Sequence, residues 1–303
     1  MSPFPPLHRS GIFWLALAEL SFAVMRVATR AGADDLPWAE IGAARFFGGA
    51  LVAVASAKVN RKSLVVGDKK NAWLRAAFGT GGALTLFYAL GENKIAVGDA
   101  TTLYATSPLW VAVLSGPVLR EKVSRAVWGG VVLGFAGVAV LMGANLAWSG
   151  PVGALVLLGA LSYALALLRL RRLGPNESSE AIALHMSLFA GVTLLLVALP
   201  TLRPVQPSAY WPLAIAALSG GFGQVFVGRA YARAEASRLA AFGYMGIVFT
   251  YVLEVVLFAR APAWHQVIGA LMVMAAGVGV TLAKKPGPPA APAAARGAGA
   301  GAR

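Results

Sequence analysis

Apolar residues run along this chain in ten blocks of nearly twenty, and short clusters of charge separate one block from the next. A helix rises 1.5 Å per residue, so a block of about twenty residues crosses a hydrocarbon core about 30 Å thick. The pattern predicts spans at 11–29, 38–57, 74–91, 98–118, 126–143, 151–170, 181–201, 209–229, 239–259 and 264–283. A helix at home in water keeps its apolar residues on one face; blocks apolar all round call for lipid. The first block reads as a span rather than a cleaved leader. Glu19 interrupts it, and Arg26 and Arg30 crowd the cleavage-like stretch Ala31-Gly32-Ala33. Residues 284–303 are Ala, Pro, Gly and a few basics, which predicts a disordered tail.

Composition agrees. Of 303 residues 58% are hydrophobic and 13% charged, against about a quarter charged in a soluble domain, and mean hydropathy is +0.70. The net charge of +14 raises nucleic acid as a partner. The basic residues, however, form no single patch and recur at alternate ends of the apolar blocks, which is the signature of membrane orientation. Twenty Lys and Arg fall on one set of ends, from Arg9 through the 58–75, 120–125, 169–172 and 229–238 clusters to the tail. Five fall on the other, namely Arg26, Arg30, Lys94, Arg203 and Arg260. This split predicts that both termini are cytoplasmic and that the span count is even. There are no cysteines, which excludes disulfides, thiolate chemistry and Cys-ligated metal. Three scattered histidines and the lack of a phosphate-loop motif give no catalytic or metal constellation. No cofactor and no enzymatic activity are expected.

The chain also repeats itself. Leu20-Ser21-Phe22-Ala23 matches Leu161-Ser162-Tyr163-Ala164 at an offset of 141. Glu40, Ala43 and Arg45 map onto Glu180, Ala183 and His185, Tyr104 maps onto Tyr244, and Gly129, Gly137 and Val138 map onto Gly269, Gly277 and Val278, all at 140. Five spans per half is odd, so the second copy enters the bilayer from the opposite side. The expected fold is all-α and polytopic: ten transmembrane helices in two inverted five-helix repeats. The expected division is a 1–10 terminus, a first repeat at 11–143, a connection at 144–150, a second repeat at 151–283 and the tail. Inverted repeats suit a carrier, because two similar halves exchange conformations around a midplane site.

Several of these residues carry a family likeness. Arg45-Phe46 early in the second span, Tyr88 before Gly91-Glu92-Asn93-Lys94, Ala100, Pro108, Glu121 and the series Gly129, Gly134, Gly137 resemble the drug/metabolite transporter superfamily, EamA type. Gly153, Ser162-Tyr163-Ala164 and Arg171-Arg172 resemble the same pattern in the second half. The likeness covers residues 11–283 and is most similar to amino-acid exporters of the YddG kind. The second half departs from the pattern where Val248 stands opposite Pro108 and Ala261 opposite Glu121, so the two gates are not equivalent. The resemblance implies export of amino acids, aromatic and apolar ones in particular, across a bacterial inner membrane. Multidrug or other metabolite efflux is the alternative.

Charge inside a span is costly, which makes intramembrane ionisable residues functional candidates. Glu19 and Arg45 are expected at similar depth, either holding a zwitterion's amino and carboxylate groups or pairing structurally. His185, the mate of Arg45, is either a polar contact or a buried, hydrogen-bonded histidine. Thr101, Tyr104 and Pro108 share one face of the fourth span, and Tyr244, Val248 and Tyr251 share the matching face of the ninth. With Phe22, Tyr88, Tyr163 and Tyr231 they would line a cavity of flat apolar walls and hydroxyls; an interfacial aromatic belt is the other reading of the tyrosines. Pro108 is the candidate gating position, since proline loosens a helix interior. The partners foreseen are a small-molecule substrate and the bilayer, and no nucleic acid. The sequence does not set the oligomeric state.

Overall fold

The computed structural model describes residues 10–31, 37–91, 97–143, 150–258 and 263–282. Every regular element in them is helical: α1 (Gly11–Ala31), α2 (Trp38–Asn60), α3 (Lys69–Gly91), α4 (Val97–Tyr104), α5 (Ser107–Leu119), α6 (Arg125–Met142), α7 (Gly150–Leu173), α8 (Ser179–Ala198), α9 (Pro207–Arg233), α10 (Ala236–Ala240), α11 (Met245–Phe258) and α12 (Trp264–Leu282). The N-terminal residues 1–9, the 144–149 connection and the 283–303 tail lie outside the described residues.

Twelve helices make ten crossings, because α4–α5 and α10–α11 are each one span broken partway. Eight segments are long and apolar enough to cross a membrane, with Ala100–Leu119 and Ala236–Leu257 each counted across its break. The other two crossings are α3, charged at its start by Lys69, Lys70 and Arg75, and α12, apolar over Trp264–Val280. The apolar blocks at 98–118 and 239–259 read as unbroken in sequence. In the structure the first breaks at Ala105–Thr106 and the second over Ala241–Tyr244. Pro108 therefore falls in the first turn of α5, not in a helix interior, where its missing N–H leaves no intrahelical bond unmade. The two breaks face each other, since a Cβ on Gly243 would lie 3.6 Å from Pro108 Cγ.

The packing has the symmetry that an inverted repeat requires. In the first half α1 packs on α9 and α11; in the second its counterpart α7 packs on α3 and on α4–α5. Helices α2 and α8, like α6 and α12, are repeat mates packed on each other across the pseudo-twofold axis. The halves are thus interleaved. Small residues allow these crossings to close, which is how helices associate in lipid. On α6, Gly130 faces Val280 and Ala276, and Gly137 faces the Gly269 carbonyl and Met272 of α12. Gly82 and Gly159 do the same between α3 and α7, and Gly49 and Gly221 between α2 and α9.

The Lys- and Arg-rich ends gather on one face. Arg229 lies over the Trp14 ring at 4.8 Å, Ser178 Oγ donates to the Ser63 carbonyl at 2.5 Å, and Arg172 Nη2 donates to the Val118 carbonyl at 2.6 Å. These contacts join the ends of α1 and α9, of α2 and α8, and of α5 and α7. We call this the basic face. The largest cluster of buried apolar side chains lies mostly in the half beside it, with Leu15, Val131, Leu168, Leu173, Val227 and Leu239 among its members.

Candidate functional site

Glu19, Arg26, Arg45 and Arg75 lie within the spans of the bundle. Glu19 and Arg26 are two turns apart on one face of α1, and both point at α11. Arg26 Nε donates to Thr250 Oγ1 and Nη2 to the Gly246 carbonyl, each at 2.8 Å. A Cβ on Gly246 would collide with the Glu19 carboxylate and stand 2.7 Å from Arg26 Nη2. Glycine at 246 is thus what lets both groups converge on the α11 backbone. The sequence expectation joined Glu19 to Arg45. In the structure the cation nearest Glu19 is Arg26, which its position near the end of the first block had assigned to the membrane surface.

Arg45, half-buried on α2, rests against α9 where that helix has no side chain: a Cβ on Gly220 would lie 3.1 Å from its Nε. Its guanidinium stands 4.6 Å from the Phe46 ring centroid. Arg75, counted in sequence with the basic ends, is 2% exposed inside the bundle. Its Nη2 approaches Gln224 Oε1 at 3.4 Å, its Nη1 approaches Met186 Sδ at 3.7 Å, and its Nε has no hydrogen-bond partner. Tyr163 of α7 is within electrostatic reach of Glu19 and all three arginines, and Tyr104 is within reach of Arg45 and Arg75.

The tyrosines divide. Tyr104 and Tyr163 form a tilted pair with ring centroids 5.7 Å apart, and Gly82 opens the space in which they meet, its Cβ position being 3.1 Å from Tyr104 Oη. Tyr163, Tyr231, Glu19, Ser107, Pro108 and Gly243 line a cavity of about 50 Å³ on the basic side of Glu19. That volume admits a water or two and is far below the 300 Å³ or more of a typical ligand pocket. Phe22 packs on Gly223 of α9. Thr101 is half-buried on α4.

The remaining candidates lie elsewhere. Tyr244, 1% exposed, fills the notch at Gly134 of α6 among Val138, Val248 and Val273, its hydroxyl without a hydrogen-bond partner. Tyr251 donates to Gln266 Oε1 of α12 at 2.8 Å. Tyr88 is 40% exposed near the end of α3. His185 is edge-on to Trp73 at 4.9 Å and borders a separate recess formed with Val65, Lys69 and Leu188. One-sequence symmetry had paired Tyr244 with Tyr104 and His185 with Arg45. The pairs occupy matching spans, but their side chains face different neighbours, because the residues around them are not repeated.

At the basic face a carboxylate ties three spans together. Glu121, just past α5, accepts from the backbone N–H groups of Ala236 and Ser237 at 3.1 and 3.0 Å and from Ser237 Oγ at 3.0 Å. It thereby caps α10 from outside, where a negative charge also suits the helix dipole. Arg171 Nε of α7 meets it at 3.3 Å, and Arg171 Nη1 donates to the Tyr231 carbonyl at 2.9 Å. A second bridge, Arg229 to Glu180 at 2.7 Å with Ser56 donating to the same carboxylate, joins α9, α8 and α2. On the opposite face Glu40, the mate of Glu180, accepts from the Arg203 backbone N–H at 2.9 Å and has no salt bridge among the described residues. Among the described residues no group of His, Asp or Glu is arranged to hold a metal ion.

The sequence profile of the EamA-like transporter family matches the chain twice, over residues 9–143 and 152–282. The pseudopaline exporter CntI of Pseudomonas aeruginosa is 28% identical over 286 residues, 92% of this chain and 98% of the exporter. The riboflavin transporter of Vibrio cholerae is 26% identical over 87% of this chain and 90% of its own length. The S-adenosylmethionine uptake transporter of Rickettsia prowazekii is 23% identical over 92% and 94%. A crystal structure at 20% identity superposes with a TM-score of 0.80, covering 90% of this chain and 99% of that one, and so has the same fold.

Proposed function

Because the chain belongs to the EamA-like transporter family, we propose that it exports small carboxylate-bearing metabolites across a bacterial inner membrane by alternating access, amino acids being the first class to test. The observation that carries this reading is the convergence of Glu19, Arg26 and Arg45 with the Tyr104–Tyr163 pair. A guanidinium binds a carboxylate bidentately, Glu19 is available for an amino group, and the two rings offer a flat wall to an apolar or aromatic body. We read the closed basic face as the inner gate, with Glu121 and Arg171 holding it and Pro108 and Gly243 meeting at the breaks beneath it. The named exporter among the relatives supports outward transport; the two uptake and vitamin carriers among them favour a broader metabolite range as the second reading.

Uptake of radiolabelled amino acids into proteoliposomes, preloaded or empty, tests it. Saturable uptake accelerated by the same solute inside is the expected result. Folded protein that carries no amino acid would end the amino-acid assignment and favour efflux of other metabolites or drugs.

A further inference from the structure

Within the spans, Arg26, Arg45 and Arg75 all lie within electrostatic reach of Tyr163, and among the described residues Glu19 stands beside Arg26 alone. At the basic face two partly buried arginines that tie helices together are met by acids: Arg171 by Glu121 and Arg229 by Glu180. Glu19 stands opposite Arg26. Among the described residues neither Arg45 nor Arg75 has a carboxylate within salt-bridge distance. Arg75 is the more telling of the two, since burial at 2% exposure removes water as its counterpart, a thioether and a long amide contact are its neighbours, and Nε is unmet. A charge buried without a partner is strongly unfavourable unless something supplies the opposite charge. Room for the guanidinium is made deliberately by Gly79, where a Cβ would lie 2.5 Å from Arg75 Nη1.

The cations are also spread along the path. Arg75 is six residues into α3 from the basic face and Arg45 seven residues into α2 from the other, each roughly 10 Å deep at 1.5 Å per residue. Both are within electrostatic reach of Tyr104 and Tyr163.

Resting on the carrier reading above, we infer that the cargo bears a net negative charge, carrying a second acidic group beyond the carboxylate of a simple amino acid, and that Arg45 and Arg75 are the residues that select it. One acid group would meet Arg45 from the outer half of the path and Arg75 would receive anionic charge in the inner half, so the cargo completes the charge balance that the chain itself leaves open.

Matched ligand pairs that differ by one charge test this on purified protein at constant ionic strength. L-glutamate is compared with L-glutamine, and benzylmalonate with 3-phenylpropionate, by the ligand-induced rise in melting temperature as a function of concentration. Inorganic phosphate serves as the control for a bare anion. The expected result is at least tenfold tighter binding of the doubly acidic member of one pair, a preference lost in Arg75→Gln and largely kept in Arg75→Lys. Arg45→Gln gives the same readout should Arg75→Gln not yield folded protein. Equal or tighter binding of the singly charged members, stabilisation by phosphate alone to the same extent, or a preference unchanged in both glutamine variants overturns the inference. Failure here beside saturable counterflow of neutral amino acids leaves the carrier reading intact; loss of counterflow for every amino acid beside a clear acidic preference removes the amino-acid assignment alone.

Discussion

At Gly246 the absence of a side chain is a functional feature. Its carbonyl accepts from both Arg26 Nη2 at 2.8 Å and Thr250 Oγ1 at 2.7 Å, and the space above its Cα is occupied by the Glu19 carboxylate. Alanine there must displace a charged group that has few alternative partners in the bundle. Gly246→Ala is therefore expected to lower the transport rate at least tenfold, about 1.4 kcal/mol in the barrier, while the protein still inserts and elutes as a single species. Counterflow in proteoliposomes beside size-exclusion chromatography checks it, and a variant with wild-type rates would remove Glu19 and Arg26 from the site. Gly134 shows the contrast. It is equally crowded, by the Tyr244 ring, yet it serves only packing between α6 and α11.

Two of the ten crossings are broken, and the breaks are repeat mates that meet at the axis. Short helices place unpaired backbone groups inside the membrane, tolerated only where protein or water satisfies them. Here α10 has only five residues, its capping residue Glu235 makes no side-chain bond to it, and Glu121 does the capping from the other half of the protein. The Glu121 cap and its bridge to Arg171 thus couple the two broken spans at the basic face. Glu121→Gln keeps an acceptor but removes the charge, and is expected to cost about 1–3 kcal/mol and to loosen this end. Because the chain has no cysteine, Ser107→Cys, which borders the small cavity, makes a clean reporter. Its modification by a thiol reagent should be slow in the otherwise native protein and several-fold faster in the Glu121→Gln background. Equal rates would show that this bridge does not hold the end closed.

Over the whole molecule, the interleaved halves mean that moving one repeat against the other changes both faces at once, which is the physical basis of alternating access. In the proposed reading, the asymmetry of the packing sets which face is shut. Large apolar side chains crowd the basic half, whereas Arg26 on the far side of Glu19 is solvent-accessible. The same basic face makes an orientation prediction. Lys58, Arg61, Lys69, Arg120, Arg172 and Arg233 stand at helix ends there, and positive ends stay in the cytoplasm. A fluorescent protein that folds only in the cytoplasm, fused to the C-terminus, should light up, and a periplasm-dependent phosphatase fusion should stay silent. The reverse pair of signals would invert the assignment of the inner gate.

The apolar blocks by themselves determined the number of crossings and the alternation of charged ends, because lipid imposes a fixed length of apolar helix and leaves little else open; the matches at an offset near 140 carried the duplication. Glu19, Arg45 and Tyr104 were legible as candidates for the same reason, being polar where polarity is expensive. What tertiary structure alone decided is which side chain meets which. Arg26 and Arg75 looked like surface charges because they sit near block ends; only the packing of α1 on α11 turns Arg26 to the Gly246 carbonyl, and only the packing of α3 on α7 and α8 buries Arg75. Tyr244 and His185 looked equivalent to their mates, but where a ring points depends on the notch opposite it, Gly134 for one and Trp73 for the other. The helix breaks were hidden as well, since an apolar run of twenty reads the same whether or not its backbone turns halfway. Sequence fixes the cost of each residue in lipid, while partners and direction come from helices distant along the chain.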